Sequence, residues 1–167
     1  MNNETFNYNI LARRTRVMIA IMIVGLFLSG ITAFPLESEL AWLAANNNAF
    51  PSVVDNWLQI VYNAVKNTNN MYPYLSYGTD WLAFAHIMLA VLFVGPFRKP
   101  VRNMWVIEFG MIACVAILPL AFIAGSIRGI PVFWRLIDCS FGVIGIIPLY
   151  ICYRDIKTLQ RLNPHTL

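Results

Sequence analysis

Four blocks of nearly unbroken apolar residues alternate with short polar stretches along the chain, at 17–34, 81–97, 104–127 and 132–153. Each is close to the ~20 residues that a helix needs to cross the hydrocarbon core of a bilayer. That core offers no water to backbone N–H and C=O groups, so such runs must satisfy those groups internally, as helices. The pattern predicts an all-α integral membrane protein: one domain of 167 residues built as a four-transmembrane-helix bundle. Composition agrees. Charged residues make up 12% of the chain, about half of the ~25% usual in soluble domains.

The first block follows a basic stretch, and Ile31-Thr32-Ala33 loosely resembles a small-residue cleavage site. The apolar run is longer than the core of a signal peptide, so it is read as a retained helix. Gly25, Ser29 and Gly30 give it a small face suited to close helix packing.

The basic residues set an orientation. Arg13, Arg14 and Arg16 precede the first block, Arg98, Lys99 and Arg102 fill the turn between the second and third, and Arg154, Lys157 and Arg161 follow the fourth. Four crossings place these nine on one side and leave Lys66, Arg128 and Arg135 towards the other. The excess of Lys and Arg marks the cytoplasmic side, so both termini are expected there. The net charge of +4 is thereby a topology signal. It does not form the basic stripe of a nucleic-acid-binding domain. Small size and this orientation suggest the inner (cytoplasmic) membrane of a bacterium.

The outer loop between the first two spans, 35–79, carries a second periodicity. Val54, Trp57, Leu58, Val61 and Val65 share one helical face, with Asp55, Asn56, Gln59, Asn63 and Lys66 opposite. This predicts an amphipathic helix over 52–66 that lies on the bilayer surface or covers the bundle. A shorter helix over 38–45 would turn Leu40, Trp42 and Leu43 inward. The stretch "NNMYPYLSYGTDW" reads as a loop with an interfacial aromatic belt, and Thr79 as the cap of the next helix.

Polar groups inside a bilayer are costly and mark functional positions by default. His86 falls within the second block, on a face shared with Ala83, Ala90 and Phe93. It is a candidate proton carrier or ligand contact, or else makes an interhelical hydrogen bond. Arg135 and Asp138, three apart on the fourth helix, fit a local ion pair or an anion-binding donor with its orienting carboxylate. Gly142 and Gly145 follow, and direct that face into the bundle. Arg128, in the turn "SIRGIP", reads as a lipid-phosphate anchor or as part of the same site. Asp80 reads as an acid at the start of the second membrane helix or, with Arg128, as part of a ligand-binding rim above the same cluster. Glu108, inside the third, is a proton-relay candidate or a buried hydrogen-bonding group. Pro119 further along should loosen that helix's hydrogen-bond ladder.

Cys114, Cys139 and Cys152 lie inside apolar blocks without metal-ligand spacing, so neither a disulfide framework nor a metal is indicated. No phosphate-binding loop, dinucleotide fingerprint or hydrolase elbow occurs. A single membrane histidine excludes a bis-histidine haem within one chain, though not one shared across a homodimer. The expected function is a membrane binding protein or subunit, holding a lipid, a quinone or a partner membrane protein through a polar cluster in its outer half. The alternative is a small enzyme on a lipid or isoprenoid substrate, with His86 and Asp138 as acid/base pair. The third is a proton- or ion-conducting oligomer using Glu108 and His86.

Overall fold

The computed structural model describes residues 3–45 and 50–162. The described residues form helices and no strand: α1 (Asn3–Ala33), α2 (Leu36–Ala45), α3 (Ser52–Met71), α4 (Pro73–Arg98), α5 (Met104–Pro119), a π-helical stretch (Leu120–Ala124), α6 (Gly125–Ile127) and α7 (Val132–Leu162). Four segments are long and apolar enough to cross a membrane: Tyr8–Ala33, Pro73–Arg98, Met104–Ile127 and Val132–Leu162. They mark the chain as an integral membrane protein, with the four spans that the hydrophobic pattern predicts.

Several boundaries differ from the sequence reading. The second membrane helix begins at Pro73, and α3 runs on to Met71. The expected aromatic loop is therefore helical on both sides of Tyr72, whose extended backbone (φ −143°, ψ 63°) is the one break. Proline explains the restart: its fixed φ and missing N–H suit the first helical position. Thr79 consequently caps nothing, and Asp80 lies two turns inside α4 rather than at its start. The fourth helix also continues past 153 to Leu162.

The chain divides into two compact units, one of Met1–Val24 with Val91–Leu167 and one of Gly25–Ala90. In the first, α5 and α7 make the most extensive packing between helices. Glycines permit it. A Cβ on Gly142 would come within 2.5 Å of the Cys114 carbonyl oxygen, and one on Gly110 within 3.0 Å of Leu149. Ile107, Leu149, Cys152 and Ile156 are fully buried around this seam. Pro119 does interrupt the α5 ladder: the chain widens into the π-helical stretch, and Gly125 N–H bonds to the Leu120 carbonyl five residues back.

In the second unit α2 packs on α3. Gln59 Nε2 donates to the Ala44 carbonyl at 2.7 Å, and Leu40 and Leu58 are buried. Trp42, expected to turn inward, stays exposed. The small face of α1 is used at one position. A Cβ on Gly30 would meet Ala83 O at 2.8 Å and Ile87 Cγ1 at 2.7 Å, whereas Gly25 has nothing within 4 Å.

Candidate ligand-binding site

Sequence reasoning singled out polar residues in the apolar blocks, and the structure assigns several of them to local work. Arg135 does not pair with Asp138. Its guanidinium reaches back, with Nε donating to the Ile130 carbonyl at 2.8 Å and Nη1 to Ser126 Oγ at 2.6 Å. Ser126 Oγ in turn donates to the Phe122 carbonyl at 2.5 Å. The aliphatic stem of Arg135 passes over Gly125, where a Cβ would come within 2.7 Å of Arg135 Cδ. Arg135 thus ties the start of α7 to the end of α6 across a turn containing Gly129 at φ +69°. The Ile130 carbonyl and the Ser126 hydroxyl take the guanidinium's donors in place of Asp138.

Asp138 is left half-buried, with no hydrogen-bond or ion-pair partner among the described residues. Arg128 is exposed in the turn. Glu108 is exposed as well, contrary to the expectation of burial. Val106, Ile107 and Gly110 form the buried face of α5, and Glu108 falls off that face. It borders an otherwise apolar hollow with Met111, Val115, Pro119 and Tyr153.

His86 is half-buried on α4, beside fully buried Ala83 and nearly buried Ala90, as the small-residue face suggested. Its Nδ1 lies 2.8 Å from the Leu82 carbonyl of the same helix. A carbonyl only accepts, so Nδ1–H is the donor in this contact. Nδ1 is thereby engaged within α4, while Nε2 has no partner among the described residues.

A cavity forms within the second unit. It measures about 400 Å³ and is lined by residues of α2, α3, α4 and the turn before α2, among them Glu37, Thr68, Asn69, Ser76, Thr79 and Asp80. The polar lining is ordered by a relay: Ser76 Oγ donates to Asn69 Oδ1, and Asn69 Nδ2 donates to Glu37 Oε2 at 2.5 Å. The relay spends its donors on itself. Glu37 keeps its second oxygen and Asp80 keeps both, since Asp80 has no partner among the described residues. Two carboxylates line the space with no Lys or Arg among the lining residues. Lys66, the basic residue of α3, has its ammonium 5.5 Å over the Tyr62 ring instead. The cavity is therefore rich in acceptors and formally negative.

The local sequence explains why these side chains converge. Glu37 sits in the first turn of α2, and Thr68 and Asn69 in the last turns of α3. Ser76, Thr79 and Asp80 recur at helical spacing on α4, which only the early start of that helix at Pro73 allows. Asp80 was legible as a candidate. Glu37 and Asn69 were not, because each lies in a stretch whose polarity is ordinary for a loop.

Sequence reasoning also missed Asp155. It is 1% exposed and forms a two-point ion pair with Arg14, Nη2 to Oδ1 at 2.5 Å and Nε to Oδ2 at 2.7 Å. Cys152 Sγ donates to the Thr15 carbonyl at 3.6 Å beside it. The signal was present: Leu149, Cys152, Ile156 and Leu159 continue an apolar helical stripe beyond 153, and Asp155 falls within it. Among the described residues no group of His, Cys, Asp and Glu is arranged to hold a metal ion. The chain matches no protein-family model, no curated protein and no solved structure.

Proposed function

We propose that this chain is a membrane-embedded binding protein whose ligand presents a primary ammonium or similarly donor-rich head to the cavity of Glu37 and Asp80. The observation that carries this reading is the mismatch in the lining: two carboxylates, acceptor atoms left over from the relay, and no cation. Carboxylates facing a partly enclosed space are stabilised by a cation that donates hydrogen bonds to them. The volume of about 400 Å³ suits a headgroup or small amine, within the ~300–1,000 Å³ of ligand sites generally. An amphipath is favoured because the cavity borders spans that cross the bilayer, whose own lipids include ammonium-bearing heads.

In this reading both termini face the cytoplasm and the cavity opens on the outer side, with α3 lying along the interface. A role as a subunit that presents such a ligand to a partner membrane protein belongs to the same class.

The test is to purify the protein in a mild detergent and identify copurifying molecules by native mass spectrometry. Wild type should retain an amine-bearing molecule at fixed stoichiometry. The isosteric Glu37→Gln/Asp80→Asn variant should lose it while keeping its helix content. A wild type that carries nothing and gains nothing from added amine lipids would overturn the reading, as would a double variant that keeps its ligand.

A further inference from the structure

The first unit carries a site of opposite character, made of residues that the acidic cavity does not use. We propose that the groove between the start of α1 and the α4–α5 turn binds an anionic phospholipid, its phosphate among the arginines and an acyl chain along the apolar floor.

Two cavities form this groove. The wider, about 750 Å³, is lined by Tyr8, Asn9, Arg16, Arg98, Lys99 and Arg102 among others. The narrower, about 300 Å³, is lined by Arg13 and by Val17, Ala20 and Phe97. Asn9, Ala12 and Arg16 line both, so the two adjoin. Four cations face the wider part, and no carboxylate is among its lining residues. None of Arg13, Arg16, Arg98, Lys99 and Arg102 has a side-chain hydrogen bond or ion pair among the described residues.

The arrangement is built. Asn103 Nδ2 donates to the Gly95 carbonyl at 3.1 Å and to the Lys99 carbonyl at 3.0 Å, which closes the turn and fixes the backbone of its basic residues. The three arginines of α1 are also sorted. Arg14 points to buried Asp155 and is neutralised there, while Arg13 and Arg16 line the groove. Guanidinium groups bind phosphate oxygens through paired donors, which favours phosphate among anions. The apolar floor decides between a free phosphate and a lipid. Val17, Ala20 and Phe97 lie within membrane-crossing segments and the cations lie at their ends, so one molecule with a charged head and a hydrocarbon tail fills both parts.

The experiment is a native mass spectrometry titration of the full chain in a non-ionic detergent. The probes are dioleoyl-phosphatidylglycerol, dioleoyl-phosphatidylcholine and glycerol phosphate. Phosphatidylglycerol should be retained at about tenfold lower concentration than phosphatidylcholine, and glycerol phosphate should not be retained. Arg16→Gln/Arg102→Gln should weaken phosphatidylglycerol about tenfold or more. Arg154→Gln/Arg161→Gln removes the same charge from exposed positions outside the groove and should leave retention unchanged. Ala20→Phe, which fills the narrower part without touching charge, should also weaken it. Circular dichroism confirms that each variant is folded, and Arg16→Lys keeps the charge should Arg16→Gln fail to fold. Equal losses in the two double variants would reduce the site to diffuse attraction and overturn it. So would equal retention of the two lipids, tight binding of glycerol phosphate alone, or indifference to Ala20→Phe.

Discussion

The two units treat carboxylates in opposite ways. In the first, Asp155 is sealed at 1% exposure against Arg14, each of its oxygens taken by one guanidinium nitrogen. In the second, Glu37 and Asp80 face a cavity of about 400 Å³ without a cation. A closed pair satisfies itself and contributes to how helices are held. An open pair of carboxylates is satisfied by something that arrives. The same side-chain chemistry therefore reads as architecture in one unit and as recognition in the other, and the difference lies in whether the partner is built into the chain.

The largest effect should come from breaking the closed pair on its exposed side. Arg14→Met leaves the buried Asp155 carboxylate uncompensated and should cost about 3 kcal/mol in detergent unfolding. Asp155→Leu leaves Arg14, whose side chain is 43% exposed and reaches water, so its cost should be smaller, about 1–2 kcal/mol. The double variant should recover most of the loss, and equal single losses with no recovery would contradict a closed pair. Next in size is the α5–α7 seam. Gly142→Val drives a side chain into the Cys114 carbonyl and should cost about 1–3 kcal/mol. Gly25→Ala, which meets nothing, should leave the melting temperature unchanged or slightly higher.

Arg135→Lys comes third. One ammonium cannot hold both the Ile130 carbonyl and Ser126 Oγ, so unfolding should become easier by about 1 kcal/mol. Ligand retention should not change, because Arg135 serves the turn. The smallest effect on stability belongs to the open site. Glu37→Gln/Asp80→Asn should shift unfolding by no more than about 0.5 kcal/mol while abolishing amine binding. A large destabilisation there would make the second unit's carboxylates structural and erase the contrast.

The four spans were legible because a bilayer demands about 20 apolar residues in a row, and that signal survives without any knowledge of packing. The start of α4 was not, because Ser76, Gly78 and Thr79 look like loop residues and helical propensity is weak beside tertiary context. That error hid the cavity, since Ser76, Thr79 and Asp80 share a face only in a helix. Asp155 was passed over as one polar residue after the last apolar block, although the buried stripe of Cys152, Ile156 and Leu159 runs past it. Arg135 and Asp138 were paired by spacing alone. Spacing gives proximity, but the nearby Ile130 carbonyl and Ser126 hydroxyl compete for the same donors.

The most direct measurement is a thermal melt of the detergent-solubilised chain in ethanolamine hydrochloride, choline chloride or sodium chloride at equal ionic strength. Ligand that binds only the folded state raises the melting temperature by mass action. Ethanolamine, whose ammonium donates hydrogen bonds, should raise it in a concentration-dependent way, choline should raise it less, and Glu37→Gln/Asp80→Asn should abolish the response. Identical melting temperatures in all three salts, or an ethanolamine response that persists in the double variant, would contradict the assignment of the acidic cavity as the ligand site.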